Sequence, residues 1–164
     1  MENLKDPGIA IEHIRLLQSH VKMVDSKGKP EYNLILTALS RHESQDGKIL
    51  DIQAAFNMMH GIDKPIFNFT CEFFARYTRQ DDAGMAWKDF TSAMALAHII
   101  PYLREYVSNI TNRMPTPILM LNPINTHAMI AEYEDRIRQA EQAKTEKRPV
   151  NPEKLEISPD PTRG

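Results

Sequence analysis

His13 and His20 stand seven residues apart, a spacing that puts two imidazoles on one side of a helix, as metal ligands can be. His42-Glu43 begins a zinc-helix pattern, but no second histidine follows four residues after His42. Cys71 could act as a nucleophile with His60 or His98 folded beside it, and Glu72 and Asp89 could join His98 in an acid–base pocket. Asp81-Asp82 could bind a cation or move a proton. Each group also has a plainer reading. The two histidines flank an apolar stripe, and a cysteine among Phe69, Phe73 and Phe74 packs as a small hydrophobe. Paired acids suit the start of a helix. Gly-rich phosphate loops and a Gly-x-Ser-x-Gly elbow are both missing. The expectation is a non-enzymatic protein with no catalytic residues, no metal ligands and no cofactor.

Aromatic and basic side chains suggest a second chemistry. Phe74 and Trp87 could stack single-stranded bases, each worth ~1–3 kcal/mol, with Arg76, Arg79, Lys88, Arg104 and Arg113 on phosphates. Asp81, Asp82, Asp89 and Glu105 interrupt that basic set. The alternative is that helical spacing places the rings in a core. Phe67 and Phe74 cannot both face inward with Phe73, so at least one of them meets solvent.

The elements that would position these residues read as helices. Asp6 caps the first and Pro7 fits its first turn; Ala10, Ile14, Leu17, Val21 and Val24 then step by four and three. Residues 25–30 make a polar turn, and Pro30 opens a helix carrying Leu34, Ile35, Leu36, Ala38 and Leu39. Ile49, Ile52, Phe56 and Met59 line a third helix, ended by Gly61. Ile66, Phe69, Phe73 and Tyr77 line a fourth, although residues 66–70 have high strand propensity. Asp81 or Asp82 caps a longer segment with Trp87, Phe90, Met94 and Ala97, then Leu96, Ile100, Leu103, Val107, Ile110 and Met114. Pro101 either kinks it or starts a new helix.

The expected fold is all-α. Residues 1–114 form a body of five to six helices, and 115–124 an extended apolar linker bounded by prolines. Residues 125–147 form a charged helix capped by Asn125 or Thr126, and 148–164 a disordered, Pro-rich tail. The whole chain has 164 residues, a net charge of −2 and a single cysteine. That excludes a disulfide scaffold, and apolar runs of at most five residues exclude a membrane-spanning helix. A pI near 6.3 gives no global grip on nucleic acid. The polar N-terminus lacks a secretory signal, which points to the cytoplasm.

Two features favour protein partners. Seven of the nine methionines lie between Met58 and Met129, and flexible thioethers suit adaptable contacts. Ile118, Leu119, Met120 and Leu121, with Ile130, Tyr133 and Ile137 on the last helix, form an arm that must bury against something. The functional expectation is a helical adaptor engaging proteins through this arm. In size and layout it is similar to the accessory factors of DNA-replication machines, the phage-encoded helicase loaders among them. Direct single-stranded nucleic-acid binding and an enzyme without a known motif are the alternatives. Nucleic acid would be met weakly or through the partners, no membrane is involved, and self-association is open.

Overall fold

Along Phe67–Arg79 the side chains alternate without a break. Phe67, Phe69, Cys71, Phe73, Ala75 and Tyr77 are buried, while Asn68, Glu72, Phe74 and Arg76 are only partly covered. A period of two is the signature of a strand with one covered face. Leu50, Ile52, Ala54, Phe56 and Met58 do the same in the preceding segment. The computed structural model describes residues 8–23, 32–60, 67–79, 85–114 and 118–146. In chain order these hold β1 (Ile9–Met23), β2 (Tyr32–Glu43), β3 (Ile49–His60), β4 (Phe67–Arg79), α1 (Ser92–Thr111) and α2 (Thr126–Glu146). The strands form one antiparallel sheet in the order β1-β4-β3-β2.

This overturns the all-α expectation of a five- to six-helix body. The first four expected helices are strands, and β-bulges explain how two of them passed for helices. β1 is irregular between Ile11 and His13 and again between Leu16 and Gln18. Each extra residue shifts the alternation by one. Ile14 and Val21 therefore share the covered face at a separation that also fits a helix. A third irregularity, between Leu36 and Ala38, does the same in β2. The expected caps and turns at Asp6, residues 25–30, Gly61 and Asp81-Asp82 lie outside the described residues.

β2 and β3 are joined by a tight turn. Ser44 Oγ donates to Asp46 Oδ1 (2.6 Å), Gly47 N to Ser44 O (2.9 Å), and Gly47 holds a φ of +65° that favours glycine. A second clasp fixes this turn from downstream. Trp87 Nε1 donates to Gly47 O (2.7 Å), and Arg41 donates to the carbonyls of Trp87 and Phe90.

α1 is a single helix that contains Pro101, and Thr91 caps it by accepting from Met94 N. Its buried side, Leu96, Ile99, Ile100, Leu103 and Val107, covers the odd-numbered face of β4. Tyr77 Oη donates to Ala95 O (3.2 Å), and the Tyr106 ring lies 5.6 Å from that of Phe69. Asn125 Oδ1 accepts from Ala128 N and caps α2. The chain divides into two compact units, Met1–Tyr133 and Glu134–Gly164. In the second unit the described part of α2 is exposed, with an Arg138–Asp135 ion pair at 3.5 Å.

Candidate functional site

The segment after α1 carries the most exposed apolar side chains near a fixed backbone. Leu119 and Leu121 are buried, while Ile118 and Met120 are 53% and 66% exposed. Three bonds hold the segment. Leu119 N donates to Thr111 Oγ1 (2.9 Å), Arg104 Nε to Leu121 O (3.1 Å) and Asn122 N to Tyr32 Oη (2.9 Å). Thr111, a buried hydroxyl, also donates to Val107 O (2.9 Å). The outward residues thus stand on a backbone tied down at Leu119, Leu121 and Asn122, beside a cavity of ≈290 Å³ lined by Pro101, Arg104, Ser108 and Met120. Ser108 Oγ donates to Met120 Sδ (3.3 Å). Tyr133 Oη accepts from Leu39 N on the edge strand β2 (3.3 Å), and Ile130 is half-buried against the core. Ile137 is exposed in the second unit.

A second apolar hollow of ≈330 Å³ lies between the start of β1 and α1, lined by Ile9, Ile11, Phe90, Met94 and His98. His98 packs against the Tyr77 and Phe90 rings, and burial holds its imidazole pKa below the usual value.

The other face of the sheet is polar. One row runs across all four strands: His42, Asp51, Arg76, His13. Arg76 grips Asp51 with two bonds and keeps its carboxyl below the usual range. Phe74 lies beneath Arg15 and Arg76, with guanidinium carbons 5.0 and 5.7 Å from the ring centre. Glu72 accepts from Gln18 (2.6 Å) and from Gln53.

The residues proposed for nucleic acid do not meet. Phe74 and Arg76 are on this polar face. Trp87 is 2% exposed and Arg104 lies on α1, which covers the opposite face. Arg79 ends β4, where its amide donates to Lys48 O, and Lys88 and Arg113 sit in exposed turns on either side of α1. The catalytic grouping fails for a similar reason. Cys71 and Glu72 are neighbours on a strand and point to opposite faces. Burial pushes the Cys71 thiol up to about 12, which leaves it unreactive. His13 and His20 fall on a strand, ~3.3 Å per residue, too far apart to share a metal. Among the described residues no cluster of three or more His, Cys, Asp or Glu could hold a metal, and no helix is long and apolar enough to cross a membrane.

What sequence reasoning missed is that the leucines of 118–121 are anchors and only Ile118 and Met120 are presented. The run is apolar at all four positions, so its sequence holds no signal that separates the two sides.

No family model matches the chain. A stretch of 50 residues is 40% identical to the protein-export protein SecB of Histophilus somni (strain 2336), covering 30% of this chain and 29% of that relative's length. The solved structure of the Mycobacterium tuberculosis Rv1957 SecB-like chaperone, in complex with a ChAD peptide from the Rv1956 HigA1 antitoxin, superposes with a TM-score of 0.59. It is 19% identical, over 71% of this chain and 90% of that one. These likenesses overturn the reading as a phage-type helicase loader or replication accessory, and favour neither nucleic-acid binding nor a motif-less enzyme. The four-stranded sheet with two helices is the fold of that SecB-like chaperone.

Proposed function

We propose that the protein is a non-enzymatic chaperone that holds extended segments of other polypeptides against Ile118 and Met120. The observation that carries this reading is the alternation across 118–121, in which two buried leucines anchor a bonded backbone and two apolar side chains are left in solvent. A surface held in place before binding loses little entropy when a ligand arrives. A thioether beside a branched aliphatic adapts to many sequences, as a chaperone must. The M. tuberculosis protein of the same fold was solved with a peptide bound, which supports a peptide as the ligand class. The short stretch shared with SecB supports the chaperone class. Leu119 and Leu121 anchor the surface from within, and Ile130 and Tyr133 pack against the same core.

The test is binding of a labelled, permanently unfolded polypeptide to the full chain, read by fluorescence anisotropy. Replacing both Ile118 and Met120 by Ser should weaken binding about tenfold, from the apolar area withdrawn. Equal affinity in the double variant, or no binding by the parent protein, would overturn the proposal.

A further inference from the structure

The methionines differ sharply in access. Met58 and Met129 are buried, Met85 and Met114 are half-buried, and Met23, Met59 and Met94 are 39%, 42% and 38% exposed. Met120, at 66%, is the most open of the described methionines. It is also the one whose sulfur accepts a hydrogen bond from a hydroxyl, that of Ser108, among the described residues. The single thiol, Cys71, is 3% exposed on the covered face of β4.

We infer that Met120 is a site of reversible oxidation by peroxides, and that its sulfoxide form binds unfolded chains more weakly. The chemistry balances without a further reagent. A sulfur lone pair of Met120 attacks one oxygen of hydrogen peroxide, and the O–O bond breaks as the S–O bond forms. The departing hydroxide takes the remaining peroxide proton and leaves as water. Sulfur is oxidised by two electrons and peroxide is reduced. The Ser108 hydroxyl, already directed at the sulfur, becomes a donor to the new sulfoxide oxygen, a far better acceptor than a thioether. An apolar, flexible contact is thereby turned into a polar, chiral one, and methionine sulfoxide reductases restore it. The loss of binding rests on the chaperone reading above; the oxidation itself does not.

The full-length protein would be titrated with hydrogen peroxide and digested, with each methionine and Cys71 followed by mass spectrometry. Among the described methionines Met120 should gain oxygen first, while Cys71 remains a thiol. In parallel, affinity for an unfolded, carboxymethylated polypeptide should fall about fivefold in the oxidised parent, the cost of setting a polar group against an apolar ligand. The M120L variant, whatever its own affinity, should bind equally well before and after peroxide. Treatment of the oxidised parent with reductase should return the lost affinity. Oxidation of Met23, Met59 or Met94 ahead of Met120 would overturn the site. An equal loss in M120L, or none in the parent, would overturn its control of binding. A reduced parent that binds no unfolded chain would overturn the chaperone reading and this control with it, while the order of oxidation would still decide the site.

Discussion

Arg76 and Asp51 are directly opposed on β4 and β3 and joined by two parallel hydrogen bonds, Nε to Oδ1 at 2.8 Å and Nη2 to Oδ2 at 2.9 Å. The pair is partly open to solvent, so screening by water keeps its contribution small. Asp51 has a folded-state pKa below its unfolded one, chiefly through Arg76. Its stabilisation is present above the unfolded carboxylate range and disappears as pH falls through the lowered folded value. The D51N variant should therefore unfold at lower urea than the parent at neutral pH, and the gap should close in acid.

Trp87 is a structural anchor. W87F keeps a ring but removes the donor to Gly47 O, leaving a carbonyl without its partner at the β2–β3 turn. A cost of ~1–3 kcal/mol is expected, measured by thermal unfolding. Trp87 is the single tryptophan, so its own emission in the parent should shift to the red as that clasp opens.

Thr111 joins the end of α1 to the segment after it. T111V preserves shape but leaves Leu119 N, an amide bonded at 2.9 Å, without an acceptor. Stability should drop by ~1–3 kcal/mol, and hydrogen exchange at Leu119 should quicken more than at the centre of α1.

Cys71 should resist alkylation at mildly basic pH in the native protein and react fully in urea. Its thiol is 3% exposed and burial raises its pKa to about 12. The comparison needs only intact mass with and without denaturant. Rapid native labelling would show that α1 lifts from the sheet far more readily than its packing allows.

The helices were legible only in part: Trp87 and Phe90 precede α1, and Met94 and Ala97 of the expected stripe are exposed, as is Ile137 of the last helix. Leu96, Ile100, Leu103 and Val107 are buried as their spacing requires, and Asn125 caps where a cap was sought. The sheet was misread where bulges break its period, and also where both periods coincide. Phe69, Phe73 and Tyr77 step by four, which satisfies a helix and a strand alike. Phe73 and Phe74 held the deciding clue. Only a strand turns adjacent rings to opposite faces, and Phe74 does face away from the core while Phe67 joins Phe73 within it. The presented pair in 118–121 was included among the expected contacts, but its two anchors were not separable from it without knowing which side meets the core.

The strand order has a bearing on biosynthesis. β1 leaves the ribosome before β4, its hydrogen-bonded neighbour, and even their nearest pair joins Met23 to Phe67. Until β4 has been translated, Ile9, Ile11, Ile14 and Val21 have no sheet to join. During that interval the nascent chain is itself an extended polypeptide with exposed apolar side chains, the condition it is proposed to relieve in others.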